Sequence, residues 1–170
     1  MLKETWRLDA PRILLIDEIA TNRCIFSHLL THRGFHVVEA RSGRAALDCV
    51  ENDPPAIVLA DLNLRDISGL GVIRALRRNH DMCSLPIIAI SPDDDQDVAI
   101  ECLACGANDH LARPVQLPLL LARVETLIET RRAHLEAMQQ MEAAESAFKH
   151  RLISRIDTVL RRSAFAAHPH

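Results

Sequence analysis

Residues 13–18 read Ile-Leu-Leu-Ile-Asp-Glu and residues 57–61 read Ile-Val-Leu-Ala-Asp, two short apolar runs that each end in acid. Four apolar residues without alternation, bounded by polar punctuation, are the pattern of a strand buried on both faces. Asp17, Glu18 and Asp61 then fall at the carboxyl ends of neighbouring parallel strands, where ligands of open α/β sheets bind. A third run, Ile87-Ile88-Ala89-Ile90, ends in Ser91, and a weaker fourth, His110-Leu111-Ala112, ends in Arg113 and Pro114. Three acids, one hydroxyl and one cation on one rim predict a site for a divalent metal and a phosphoryl group.

Outward from these strands the chain alternates helix and strand signals. A helix is predicted over 21–33, with Ile25, Leu29 and His32 at helical spacing and Gly34 as its stop, followed by a strand over 35–39. Ser42 reads as the N-cap of a helix over 43–51, which Asn52-Asp53-Pro54-Pro55 breaks before the Asp61 strand. Ser68-Gly69 opens a helix reaching Asn79, with Leu70, Ile73 and Leu76 inward and Arg74, Arg77 and Arg78 mainly outward. Residues 96–105 form the fourth helix, Gly106 stops it, 108–112 is the fifth strand, and Pro118 suits the first turn of a last helix. Five βα units of this length imply right-handed crossovers and an α/β, doubly wound, five-stranded parallel sheet.

Composition narrows the functions. With 48% hydrophobic and 25% charged residues the 170-residue chain is balanced for a full core and does not read as disordered. No apolar run approaches bilayer length, and residues 1–10 carry Lys3, Glu4, Arg7 and Asp9 where a signal peptide would be apolar, so no membrane association and a cytoplasmic location are expected. Residues 1–118 hold 12 Lys and Arg against 17 Asp and Glu, and the remainder 8 against 6, so neither part is a polybasic footprint and direct nucleic-acid binding is not expected. The cysteines at 24, 49, 83, 102 and 105 are an odd set and read as reduced thiols. Cys102 and Cys105 form a CxxC without a second ligand pair, which favours core packing over metal binding.

These motifs, in order, resemble the receiver domain of two-component response regulators. The similarity spans residues 10–128 and rests on "ILLIDEIATNR" at the first strand, "IVLADLNLRDISGLGVIRALR" around Asp61, "LPIIAIS" ending in Ser91, and "GANDHLARPV" ending in a basic-Pro pair. The resemblance implies a flavodoxin-like sheet order 2-1-3-4-5, with two helices on one face and three on the other. It implies Asp61 as phosphoacceptor from a histidine kinase or phosphotransfer protein, and Mg²⁺ held by Asp17, Glu18, Asp61 and the Asn63 main-chain carbonyl. Ser91 donates to a phosphoryl oxygen, and Arg113 pairs with Asp61 or with the phosphoryl group. The chain is not expected to be an enzyme: it is read as a phosphoacceptor capable of self-dephosphorylation, with no separate catalytic domain. The chain also departs from the family pattern. Arg113 stands for the usual lysine, Leu64-Arg65 for Met-Pro, Ser68 for the Asp before Gly69, Pro92 follows Ser91, and His110 replaces an aromatic residue. Guanidinium is a planar fork and ammonium a point charge, so the switch geometry is expected to differ.

The segment after the receiver is unusual. Between Pro118 and Pro169 there is neither Gly nor Pro, so a helical extension over 129–162, with a disordered tail 163–170, is expected. A heptad starting at Val124 runs through Arg131, Met138, Glu145, Leu152 and Val159, with Leu127, His134, Met141, Phe148 and Arg155 between. Polar residues at several of these positions favour a switchable homodimer or docking on a partner over a constitutive zipper. A hairpin of two helices is the alternative, since Arg131-Arg132 and Lys149-His150-Arg151 interrupt the stripe. Two further readings stay open. One is a receiver-like adaptor that is never phosphorylated. The other is a regulatory relative of receiver-linked diguanylate cyclases, because "ANDHLARPVQLPLLLARVETLIETRR" resembles receiver-to-cyclase junctions; no cyclase motif follows it, so enzymatic output is not expected from this chain.

Overall fold

The computed structural model describes residues 10–166, so the expected N-terminal arm short of Ala10, and residues 167–170 of the expected tail, lie outside the described residues. In chain order the elements are β1 (Arg12–Ile16), α1 (Ala20–His32), β2 (His36–Ala40), α2 (Gly43–Asn52), β3 (Ile57–Asp61), α3 (Gly69–Leu76), β4 (Ile87–Ser91), α4 (Gln96–Ala104), β5 (Asp109–Ala112) and α5 (Leu117–Ala166). All five strands are parallel, in the order β2-β1-β3-β4-β5. The apolar runs explain that order: every residue of β3 and β4 is buried, as are the last four of β1, while the edge strands β2 and β5 are half-exposed.

Alternate residues of the central strands feed two cores. Leu14, Ile16, Val58, Ala60, Ile87 and Ala89 pack with α2, α3 and α4 through Ala46, Val50, Val72, Ile73, Leu76 and Cys102. Ile13, Leu15, Ile57, Leu59, Ile88 and Ile90 pack with Phe26 and Leu30 of α1 and with Leu120, Leu121, Val124 and Ile128 of α5. At about 1.5–3 kcal/mol for each fully buried large side chain, these two layers dominate the stability of the unit.

The α1 stripe lies one position over from the expected one. Phe26 and Leu30 are buried, whereas Ile25 is exposed. Both sets have helical spacing, and the ring of Phe26 brings more apolar area to the sheet than Ile25 does. Arg77, expected mainly outward, is half-buried. Its guanidinium donates to the carbonyls of Gly106 (2.7 Å) and Leu85 (2.8 Å) and to Asn108 Oδ1 (2.9 Å), tying α3 to the start of β4 and to the turn before β5.

The described residues divide into two compact units, one ending at Arg132 and the other beginning at Ala133. Val124 and Ile128 belong to the core of the first unit, and Arg131 donates through Nε to the Ser84 carbonyl at 2.7 Å. Those first heptad positions are therefore used by the α/β unit itself, which extends four residues beyond the expected boundary at 128. No turn interrupts α5, so the hairpin alternative does not form, and its backbone is helical through Ala166, four residues into the stretch expected to be disordered. From Glu136 to Arg162 every residue is exposed.

Candidate functional site

Strand ends and their capping turns assemble the rim. At the end of β1 the buried Asp17 turns its Oδ1 back onto the Ile19 N–H (2.7 Å), which serves in place of a side-chain cap on α1. Its Oδ2 accepts from Asn22 Nδ2 (3.0 Å) and from Arg113 Nη2 (2.7 Å). At the end of β3 the buried Asp61 accepts the Asn63 N–H on Oδ1 (3.0 Å) and the same Arg113 Nη2 on Oδ2 (3.1 Å). One guanidinium nitrogen thus bridges two buried carboxylates from adjacent strands, a charge-assisted pairing that an isolated buried acid would lack. Arg113 follows β5, where its N–H donates to the Ser91 carbonyl (3.0 Å) and its peptide to Pro114 is cis. The guanidinium carbon lies 5.9 Å from the centroid of the Phe26 ring, a cation–π distance that adds a wall behind the charge.

Gly69 gives the turn after Asp61 its shape. A Cβ there would come within 2.4 Å of the Asp61 carbonyl oxygen and 2.5 Å of Leu62 Cα, and the Gly69 N–H donates to the Leu62 carbonyl (3.1 Å). Only a residue without a side chain lets α3 start directly over the end of β3. Ser68, in the place of the family's Asp, caps α3 by accepting the Gly71 N–H (3.1 Å).

Asp61 carries the perturbed proton affinity of the site. Burial pushes its carboxyl pKa up, the Asn63 N–H and the Arg113 charge pull it back, and the neighbouring Asp17 charge raises it further.

The structure brings Asp17, Asp61 and Arg113 together and leaves two expected members otherwise engaged. Glu18 points to Arg65, accepting its backbone N–H and pairing with its Nε at 3.3 Å. Ser91 Oγ donates to the Asp93 carbonyl (2.5 Å), which leaves its lone pair to accept from His110 Nε2 at 2.8 Å. Arg23 was not singled out from sequence. It donates through Nη1 to the carbonyls of Asp17 (2.7 Å) and Glu18 (3.0 Å), and through Nε to Glu39 (3.3 Å). Its position one turn into the helix after the acidic pair was the available signal.

Among the described residues no three His, Cys, Asp or Glu side chains gather to hold a metal. The donor chemistry nonetheless suits Mg²⁺, a hard cation held in proteins by one or two carboxylates with phosphate and water oxygens completing the shell. Asp17 Oδ2 and Asp61 Oδ2 converge on one positive nitrogen, so two hard oxygens already face a single cation position.

All five cysteines are free; Cys102 is buried in the core, where burial first and its neighbours Cys105 and Glu101 next raise its thiol pKa. That is the core-packing reading of the CxxC.

Residues 13–125 match the family described as "Response regulator receiver domain". The chain belongs to the receiver-domain family of two-component response regulators, which are signal-transduction modules. Response regulator MprA of Mycolicibacterium vanbaalenii is 35% identical over 117 residues, covering 69% of this chain and 50% of that protein. Response regulator PleD of Caulobacter vibrioides is 30% identical over 135 residues, covering 79% of this chain and 30% of that one. A solved structure described as a probable two-component system response regulator/GGDEF domain protein is 31% identical and has a TM-score of 0.68, covering 72% of this chain and 50% of that one. The chain spans half the length or less of these relatives. No helix among the described residues is long and apolar enough to cross a membrane.

Proposed function

We propose that this receiver accepts a phosphoryl group on Asp61 from a histidine kinase or phosphotransfer protein, and that its output is the pairing of its helical extension with a second copy. The observation that carries the reading is the buried Asp17–Arg113–Asp61 bridge, which keeps a nucleophilic carboxylate desolvated, oriented by the Asn63 N–H and next to a fixed cation. In the transfer an oxygen of Asp61 forms the new bond to phosphorus while the bond to the donor's imidazole nitrogen breaks, giving a mixed anhydride. Asp17, Asp61 and the Asn63 main-chain carbonyl would hold Mg²⁺, with Glu18 joining only by leaving Arg65. Bound there, the ion neutralises charge building on the transferring oxygens.

Arg113 holds the two carboxylates side by side before transfer. Its contacts with Asp17 Oδ2 and Asp61 Oδ2 would loosen where a metal or a phosphoryl group took up those oxygens. Ser91 reaches a phosphoryl oxygen by giving up the Asp93 carbonyl, and His110, bonded to the same hydroxyl, follows that movement. The chemical event is thereby linked to β5.

Intact-mass measurement after incubation with Mg²⁺ and acetyl phosphate tests the assignment. One added phosphoryl group is expected, absent in Asp61→Asn. Equal labelling of that variant, or no labelling of the wild type by a competent donor, rejects Asp61 as acceptor. The bridge itself favours one other reading, a receiver-like adaptor in which the guanidinium permanently takes the place of the metal. That reading expects no labelling and no Mg²⁺ response.

A further inference from the structure

The second unit is a helix whose apolar residues have no cover within it. Met141, Phe148, Leu152, Ile156 and Val159 are all exposed, Met141 at 72% and Val159 at 64%. With Ala144 they form one stripe, spaced 3, 4, 4, 4 and 3, which covers eighteen residues in five steps. Met141, Phe148, Leu152 and Val159 are heptad positions, and Ala144 and Ile156, next to the polar heptad positions Glu145 and Arg155, bring the mean spacing to the 3.6 residues of a straight helix.

From Met141 to Val159 the spacing reads the same in both directions about His150; Met138, one step before Met141, lies outside this symmetric part. Met141 and Val159 lie nine residues either side of it, Ala144 and Ile156 six, Phe148 and Leu152 two. Two copies running in opposite directions therefore match Met141 with Val159, the small Ala144 with Ile156, and Phe148 with Leu152. Parallel copies would set Ala144 against Ala144 and Phe148 against Phe148, leaving one thin layer beside one thick layer. Facing layers of even volume pack without voids or strain.

Charge points the same way. Residues 133–145 carry Glu136, Glu142 and Glu145 and no Lys or Arg, a net −3. Residues 146–162 carry Lys149, Arg151, Arg155, Arg161 and Arg162 against Asp157, a net +4. The i,i+4 pairs Glu145–Lys149 and Asp157–Arg161 are exposed and do not change these sums. Parallel pairing stacks +4 on +4, whereas antiparallel pairing about His150 sets residues 133–145 opposite 155–167, so that Glu145 meets Arg155 and the acidic stretch faces Arg161 and Arg162 as well, while Lys149 and Arg151 lie opposite each other across the axis.

We propose that the segment 141–159 docks on a second copy of itself in antiparallel orientation, with the twofold axis at the level of His150. The proposal rests on the pairing put forward above and adds its direction and register.

The test uses the full chain with the exposed Cys24 and Cys83 changed to serine, carrying either Met141→Cys or Val159→Cys. Mixed and mildly oxidised, the two proteins should give a disulfide-linked mixed dimer, while neither links to itself. In an antiparallel pair the two copies of position 141 lie about 27 Å apart at 1.5 Å rise per residue. Self-linking of Met141→Cys overturns the orientation, and a dimer by light scattering without the mixed disulfide overturns the register. A monomer by light scattering overturns the pairing itself. In a chain without added cysteines, Glu142→Arg with Glu145→Arg should lower the dimer fraction, as should added salt; a dimer indifferent to both overturns the charge argument.

Discussion

Strands β3 and β4 and the helical stretch from Glu136 to Arg162 are all well supplied with large aliphatic residues, yet the strands are buried throughout and the helical stretch is exposed throughout. The α/β unit closes its core with its own elements: both faces of the sheet meet helices. Among the described residues the second unit has one helix and nothing of its own to set against it. The difference teaches that an apolar residue is only as informative as its neighbours' ability to cover it. In the receiver such residues encode stability; in the extension they are free to serve the pairing proposed above.

Truncation separates the two regions most sharply. Ile88→Ala, in the centre of β4, should cost about 2–5 kcal/mol of unfolding free energy in urea, from lost burial and the cavity left behind. Ile153→Ala, at a site 66% exposed, should leave the receiver's unfolding within about 0.5 kcal/mol of wild type. A large loss from Ile153→Ala would show that the extension contributes to the fold of the receiver, and the contrast between the regions would fail.

A smaller effect is expected at the rim, where burial is bought with a polar bridge. Arg113→Ala leaves Asp17 and Asp61 facing each other without their shared donor. Breaking a fully buried pair costs about 3–5 kcal/mol; here about 2 kcal/mol is expected, because the rim admits water and Asp61 can take up a proton. Mg²⁺ should restore more stability to this variant than to wild type, since the ion enters without displacing a guanidinium. Thermal melts with and without Mg²⁺ read the difference, and equal Mg²⁺ shifts in both proteins would argue against a shared cation position.

What the sequence made legible follows the same division. The central strands were readable because continuous apolar runs ended by acid, hydroxyl or Arg-Pro have few other meanings, and the sheet order followed once the family was recognised. The stripe of α1 was not, because Ile25 with Leu29 and Phe26 with Leu30 have the same spacing, and only the sheet decides between them. Arg77 reads as a surface cation and Arg131 as a polar heptad position, but each finds main-chain carbonyls that sequence pattern cannot display. Asp17, Asp61, Ser91 and Arg113 all fall on the expected rim. Local geometry then subdivides them: Glu18 is drawn to Arg65, and Ser91 to Asp93 and His110, by turn conformations that residue types do not fix. The first heptad positions were misassigned because a stripe does not say which surface it will meet.

The smallest expected effect lies at Asp66, an exposed acid in the turn after β3 whose part in the fold sequence analysis did not foresee. Its Oδ1 accepts the Gly43 N–H and its Oδ2 the Arg44 N–H, both at 2.9 Å, so it covers the start of α2 alongside the Ser42 cap. These two hydrogen bonds, Arg44 first, lower its carboxyl pKa from 3.8 to about 2. A depressed folded-state pKa means that the ionised form is favoured by folding, so the contribution is present above 3.8 and is lost as pH falls through about 2. Asp66→Ala should therefore unfold at lower urea than wild type at pH 6, and the gap should narrow below pH 4 while other titrating groups cancel in the comparison. Exposure keeps the gap small. A gap that stays constant down to the acid limit of the fold would mean that Asp66 acts through shape and not through charge, leaving Ser42 as the principal cap of α2.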